Sequence, residues 1–387
     1  MVYRNAKEIL LSLVRGYPVV AVTGPRQSGK STLVKNVFND KEYANLEDIE
    51  AREYAQSDPK GFLSQFPDGA ILDEVQRVPS LFSYVQTIVD EKKEPGYFIL
   101  TGSQQFGLYE DITQSLAGRV ATVVLLPFSH DELINAKLLP DTPEELLFKG
   151  LYPPIYDRSL DPTLWYGNYT RTYIERDVRQ IIQVRDLSTF QHFVRMCAAR
   201  TGQLLNLSSL ANDCGITHNT AKSWISILEA SYIIYLLKPH FENFNKRLVK
   251  TPKLFFYDVG LAVWLLGING IDQISIHPLR GSLFETYVVG ELLKRRTNNA
   301  LEPNIYFWRD RTGNEIDIII DKGTALIPVE IKSGKTITSD YFTMFKKWIE
   351  ITGKKDEKGW LIYAGAEHQK RSDGIVLPWN RIFDIDA

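Results

Sequence analysis

The residues with the most defined chemistry lie at Gly24-Pro25-Arg26-Gln27-Ser28-Gly29-Lys30-Ser31-Thr32. Gly24 to Ser31 fits the pattern G-x-x-x-x-G-K-[ST], and its surroundings fit as well. A valine-rich run from Tyr17 to Val22 precedes it, as a buried parallel strand would, and Ser31 to Val37 reads as a helix. Gly24 and Gly29 allow backbone N–H groups to curl around phosphate oxygens at a helix N-terminus. Lys30 places a cation on the β- and γ-phosphates, and the Ser31 hydroxyl takes one position on magnesium. The stretch through Thr32 is therefore expected to bind ATP with Mg2+.

Asp73 and Glu74 follow the short apolar run Ala70-Ile71-Leu72. Behind such a loop, Asp73 is expected to hold magnesium through its water shell, and Glu74 to polarise the attacking water as general base. A base at this point favours hydrolysis over phosphoryl transfer to a small acceptor. Thr101-Gly102-Ser103 ends the next apolar run, Tyr97 to Leu100. Either hydroxyl can bond the attacking water or the γ-phosphate; a helix N-cap is the plain alternative. Arg119 can act as an arginine finger, in cis or from a neighbouring chain, or it can form a structural salt bridge.

A second group of candidates lies near the C-terminus. Glu285 sits on a helical stretch from Ser282 to Arg295. Glu315 and Asp317 are two apart on a strand ending at Asp321, and Glu330 and Lys332 are two apart on Leu326 to Lys332. Residues two apart share a strand face, and the short turn Asp321-Lys322-Gly323 pairs the two strands. Glu285, Asp317 and Glu330 are expected to converge on a divalent ion, Mg2+ or Mn2+, with Lys332 beside them and Glu315 one pleat further out. Charged strand ends without activity are the bland alternative. Trp308, Arg309, Arg311 and the run Lys294-Arg295-Arg296 offer themselves to a nucleic-acid backbone.

The elements that position these groups follow from the hydrophobic pattern. The N-terminus reads as an amphipathic helix to about Arg15. Short apolar runs, including Val120 to Leu126, then alternate with helical stretches, the pattern of a parallel sheet with its site at the strand C-termini. From Ser129 to about Arg200 the pattern is mainly helical, broken at Pro140 and at Tyr152-Pro153-Pro154. Two short helical patterns flank Asp213-Cys214-Gly215-Ile216, with small Ala211 ahead of the turn glycine, as a winged helix-turn-helix requires. Thr217, His218, Asn219, Lys222 and Ser223 fall on the exposed face of its second helix. The chain is expected to be an α/β multidomain protein: a P-loop ATPase core at 1–130, a helical lid or linker at 131–200, the winged helix at 201–265, and an α/β nuclease-like domain at 266–387.

Composition limits the partners. Of 387 residues, 45 are Lys or Arg and 47 Asp or Glu, for a net charge of −2, so any nucleic-acid contact must use local patches. Cys197 and Cys214 stand alone, which argues against a disulfide framework or a zinc site and fits a reducing cytosol. No signal peptide and no apolar run of about 20 residues is present, so a cytoplasmic chain without a membrane span is expected.

GPRQSGKST, ILDEVQRVPSLF and FILTGSQQF resemble the AAA-type branch of P-loop ATPases. SLAGRV, LLPFS, the Tyr152-Pro153 break and Tyr169-Thr170-Arg171-Thr172-Tyr173-Ile174-Glu175-Arg176-Asp177-Val178 extend the likeness over nearly the whole chain. They make it similar to prokaryotic ATPases that join AAA family 14 to the domain of unknown function 4143. The helix, the strands and the final Glu330-Ile331-Lys332 resemble the PD-(D/E)xK nuclease core. The resemblance implies Mg2+-dependent ATP hydrolysis coupled to handling of DNA or RNA, with metal-dependent nuclease activity and homo-oligomer formation as open possibilities. An ATP-driven protein-interaction switch with a non-catalytic nuclease-like domain is the main alternative. A small-molecule kinase is disfavoured by Glu74 and by the C-terminal segments.

Overall fold

The computed structural model describes residues 2–103, 115–174, 187–240, 249–353, 358–372 and 374–385. Glu175 to Val178 and Gln104 to Phe106, which carry part of the family resemblance, lie outside the described residues. The chain forms two compact units: Met1–Phe128 with Ala230–Tyr232 and Arg296–Glu302, and Ser129–Glu229 with Ile233–Arg295 and Pro303–Ala387.

The first unit is built on a parallel sheet of five strands: β1 (Val19–Thr23), β2 (Glu42–Asn45), β3 (Ala70–Asp73), β4 (Phe98–Gly102) and β5 (Val120–Val124), in the order β2-β3-β4-β1-β5. Alternate residues explain why the central strands are apolar throughout. Val19 and Ala21 join a core with Leu72, Leu100, Phe62 and Phe82, while Val20 and Val22 join one with Ile71, Ile99, Leu10 and Leu33. Both faces are therefore covered by helices, and a strand buried on both faces loses the in-out alternation of an exposed sheet. The helices Ala6–Leu13 and Lys30–Val37 cover one face, and Pro59–Ser64 and Leu81–Lys92 the other. The strand β2 reads Glu-Tyr-Ala-Asn and lies at the sheet edge, so it has no apolar run by which to find it.

The second unit opens with short helices, His130–Asn135, Pro143–Lys149, Pro153–Asp157 and Pro162–Tyr169. The helical run is broken at Tyr152-Pro153-Pro154 as expected: one helix ends at Lys149, Tyr152 is extended, and Pro153 begins the next, where a missing N–H costs nothing. The helices Leu207–Asp213 and His218–Ala230 follow, joined through Gly215 at φ 65, with Ala211 buried between them. A three-stranded antiparallel sheet accompanies them: β6 (Gln203–Leu204), β7 (Ile234–Leu237) and β8 (Lys253–Phe256), with β8 central.

The long helix Arg280–Thr297 leads into a six-stranded mixed sheet of β9 (Ile305–Arg309), β10 (Glu315–Asp321), β11 (Leu326–Lys332), β12 (Gly359–Tyr363), β13 (Gln369–Arg371) and β14 (Gly374–Pro378), ordered β13-β14-β12-β11-β10-β9. Trp308, Ile316, Ile319 and Leu326 pack on Trp348 of the helix Thr343–Thr352. The β9–β10 register shifts between Ile316 and Ile319, which places an irregularity at Asp317.

Candidate nucleotide site and C-terminal carboxylate cluster

Gly24 leaves β1 at φ 139, and a Cβ there would come within 2.2 Å of Leu125 O, so only glycine lets the loop start this close to β5. Gln27 and Gly29 also take positive φ, 63 and 93. The curl closes on Lys30, whose Nζ donates to Gly24 O at 3.0 Å and to Pro25 O at 2.9 Å. Burial pushes this ammonium down to about 8, while the charges of Glu74 and Asp73 draw it back up. Ser28 Oγ is buried with no hydrogen-bond partner among the described residues, Arg26 reaches Glu47 at 3.5 Å, and Thr32 is exposed on the first helical turn.

The acidic pair sits at the end of β3, one strand removed from β1 across β4. Asp73 collects three hydroxyls. Ser31 Oγ donates to its Oδ1 at 3.0 Å, Thr101 Oγ1 donates to the same oxygen, and the Tyr43 phenol donates to Oδ2 at 2.5 Å. Burial and then the bond to Asp73 raise the Tyr43 pKa, so the phenol stays protonated and acts as donor. Glu74 turns out of the strand at φ 57. Ser103 Oγ donates to its Oε2 at 3.1 Å and Gln76 Nε2 to the same oxygen at 2.5 Å. Thr101 and Ser103 therefore divide the two carboxylates between them, Thr101 donating to Asp73 and Ser103 to Glu74, while Thr101 Oγ1 also accepts from Glu74 N at 3.3 Å.

Arg119 forms a two-pronged pair with Asp90 on the helix Leu81–Lys92, with Nε and Nη2 at 2.5 and 2.8 Å, and Nη1 also donates to Ala117 O. That is the salt bridge foreseen as the alternative to a finger. Two contributors to the loop were not legible in the sequence. Arg4 is buried and donates to Ser28 O at 2.6 Å and Leu126 O at 2.7 Å, with its guanidinium 5.1 Å from the Phe128 ring centroid. The Tyr232 hydroxyl lies 3.0 Å from Thr23 Oγ1, at the last residue before the loop.

In the second unit Thr217, His218, Asn219, Lys222 and Ser223 are exposed as expected. The basic run Lys294-Arg295-Arg296 is not an open patch. Lys294 is buried and bonds Glu291 at 2.8 Å, while Arg295 and Arg296 donate to the carbonyls of Phe383 and Glu302. Trp308 is buried in the sheet core and cannot track a backbone.

The C-terminal carboxylates cluster, but in two pairs. Lys332 Nζ stands 2.7 Å from Glu330 Oε2 and 3.4 Å from Asp317 Oδ2, so Asp317 and Glu330 do share a face. Asp317 Oδ2 also accepts from Ile331 N at 2.8 Å. Glu285 instead bonds Lys253 of β8 at 3.1 Å, and the same ammonium stands 2.5 Å from Glu315, which Arg309 also meets at 3.0 Å. The expected convergence of Glu285, Asp317 and Glu330 on one ion is not what the side chains do. Two lysines stand among the carboxylates, and among the described residues no group of three or more His, Cys, Asp or Glu is disposed to hold a metal. Burial, with the charge of Asp317, pushes Glu330 up to about 8, and burial pushes Glu285 up to about 7 against the pull of Lys253. Lys253, in Lys-Leu-Phe-Phe, carries no motif that would have flagged it.

Residues 16–134 match the family model of an AAA domain, residues 141–272 that of a domain of unknown function (DUF8612), and residues 280–382 that of a domain of unknown function (DUF4143). An uncharacterized protein of Mycobacterium tuberculosis is 29% identical over 339 residues, covering 86% of this chain and 74% of its own. One of Haemophilus influenzae is 22% identical over 313 residues, covering 72% and 74%. Among solved structures, the Walker-type ATPase of Pyrococcus abyssi aligns with a TM-score of 0.45 at 17% identity, over 67% of this chain and 94% of that one. AMPPCP-bound DnaA from Aquifex aeolicus aligns with a TM-score of 0.31 at 15% identity, over 58% and 85%. Among the described residues no helix is long and apolar enough to cross a membrane.

Proposed function

We propose that the AAA-type P-loop domain at residues 16–134 hydrolyses ATP with magnesium, and that the chain spends this cycle on handling nucleic acid. One observation carries the hydrolytic reading. The loop at Gly24–Thr32, Asp73 and Glu74 meet at the C-terminal ends of β1 and β3, with Ser31 already bonded to Asp73. Lys30, now resting on the Gly24 and Pro25 carbonyls, is the cation for the β- and γ-phosphates. Gly24 to Ser31 offer backbone N–H groups and the unpartnered Ser28 hydroxyl to phosphate oxygens. Ser31 and Asp73 would hold the magnesium, which would supply charge stabilisation at the phosphates. Glu74 takes the proton of the attacking water, with Ser103 and Gln76 fixing its carboxylate.

The nucleic-acid part rests on the exposed face Thr217, His218, Asn219, Lys222 and Ser223, read as the second helix of a winged helix-turn-helix. An ATP-driven protein-interaction switch is the second reading, favoured by the absence of a strongly basic surface field at net charge −2. The division into an ATPase core, a helical region, a winged helix and a nuclease-like domain belongs to the same proposal.

Steady-state turnover with and without single-stranded and duplex DNA tests both parts. Lys30→Ala should lower kcat/KM for ATP by roughly 10²-fold or more. Glu74→Gln should lower kcat by roughly 10²–10⁴-fold while ATP still binds. Parental turnover in either folded variant would sink the site assignment. A rate that neither DNA alters would leave the switch as the better reading.

A further inference from the structure

The C-terminal carboxylates do not fit the ion that a nuclease-like fold implies. A divalent cation needs several oxygens aimed at one point with lone pairs to give. Here Glu285 and Glu315 each commit an oxygen to Lys253, and Glu330 and Asp317 each commit one to Lys332. Glu330 Oε1 is buried without a partner, but a single oxygen does not make a coordination shell. Lys332 is the lysine expected beside such an ion, but Lys253 is a further cation, already among the carboxylates.

Lys253 is not a surface side chain that swings in by chance. Its side chain is 4% exposed, and its Nζ lies 5.5 Å from the Phe307 ring centroid. Its backbone is in β8, the central strand, paired with Leu204 on one side and Leu237 on the other. The ladder on both sides fixes where the stem begins, and the two carboxylates fix where it ends. For an ion to take this place, the ammonium would have to leave a buried site and lose both partners.

We propose that Lys253 is the resident cation of this domain: its ammonium holds Glu285 and Glu315 together where a metal-dependent nuclease would use a divalent ion, so the domain keeps its carboxylates without metal-dependent cleavage. The ATPase reading does not depend on it. The chemistry is charge balance in a low-dielectric place. Half-buried carboxylates side by side around a buried ammonium are balanced by it, and a lysine built into the chain supplies that charge at every metal concentration, with Arg309 adding to it at Glu315.

Nucleotide-free full-length protein titrated with Mn2+, read by electron paramagnetic resonance of the free ion, tests the assignment. The parental chain, Asp317→Asn and Glu315→Gln should take up the same amount of Mn2+, any weak binding at the nucleotide site being common to all. Lys253→Met keeps the stem over Phe307 and removes the charge; it should gain a Mn2+ site that is lost again when Glu315→Gln is added. Circular dichroism confirms that the variants are folded. Mn2+ uptake by the parental chain that Asp317→Asn or Glu315→Gln abolishes would overturn the proposal, and that arm decides even where Lys253→Met fails to fold. A folded Lys253→Met that binds no more Mn2+ than the parent would overturn it as well. Mn2+-dependent cleavage of an oligonucleotide by the parental chain, lost in Asp317→Asn, would do the same.

Discussion

Asp73 shows how much one side chain can be asked to hold. It accepts from Ser31, Thr101 and Tyr43, three hydroxyls from three different elements. Ser31 and Thr101 could be placed near it from the sequence, because both follow a short apolar run by a fixed spacing. Tyr43 could not. It comes from β2, whose Glu-Tyr-Ala-Asn gives no periodic signal, and it reaches Asp73 only because β2 pairs with β3 in register Asn45 to Asp73. A hydrogen bond to a charged group is worth about 1.5–3 kcal/mol, enough to fix which way the carboxylate points. Tyr43→Phe should therefore raise the Mg2+ concentration needed for half-maximal ATP turnover by roughly threefold to tenfold, with ATP affinity in the absence of Mg2+ little changed. Superimposable Mg2+ titrations for Tyr43→Phe and parent would show that the phenol has no part in placing Asp73.

At the scale of elements, local chemistry was legible and tertiary contacts were not. The phosphate loop, the helix after it and the acidic strand are written in consecutive residues, and each appears within a residue or two of its expected bounds. The strands β10 and β11 match their expected ranges because a short turn joins two apolar runs in one antiparallel register. Tyr152-Pro153-Pro154 interrupts the helical run as expected; what the sequence alone does not give is that Pro153 also opens the next helix, since proline is equally at home after one helix and at the start of another. Arg4 was invisible for another reason. Its partners, Ser28 O and Leu126 O, are backbone atoms 24 and 122 residues away, and no side-chain pattern announces a carbonyl. It ties the residues before the first helix to the phosphate loop and to the end of β5. Arg4→Met keeps much of the apolar stem beside Phe128 and removes both bonds, so unfolding free energy should fall by about 2–3 kcal/mol. ATP should recover part of the lost melting temperature. A melting curve identical to the parent's would mean that the loop keeps its shape without Arg4.

Across the whole molecule, buried ionisable groups set how stability answers pH. Asp131, on the helix His130–Asn135, is pushed from 3.8 to about 6 by burial first and by the charge of Glu291 second, with Arg295 acting against them. A carboxyl raised on folding binds more protons folded than unfolded between those two values, so its contribution falls as pH rises through that window and is most unfavourable above it. Because the group keeps appreciable contact with water, screening reduces the effect to about 1 kcal/mol. Asp131→Asn should stabilise the protein by about that amount at pH 7 and lose the advantage near pH 4, as urea melts at the two pH values would report. Equal stabilisation at both would remove ionisation as the cause.

The buried contact between Lys253 and the carboxylates of Glu285 and Glu315 also bears on how such chains can evolve. The lysine lies inside the segment matching one family, which ends at residue 272, and both carboxylates lie inside the segment matching another, which begins at residue 280. A crossover in the short stretch between them, joining this C-terminal part to a middle part without the lysine, hands the offspring two half-buried acids with only Arg309, beside Glu315, left as a counter-charge among the described residues. What family boundaries divide into separate modules is, through one ammonium group, a single unit of inheritance.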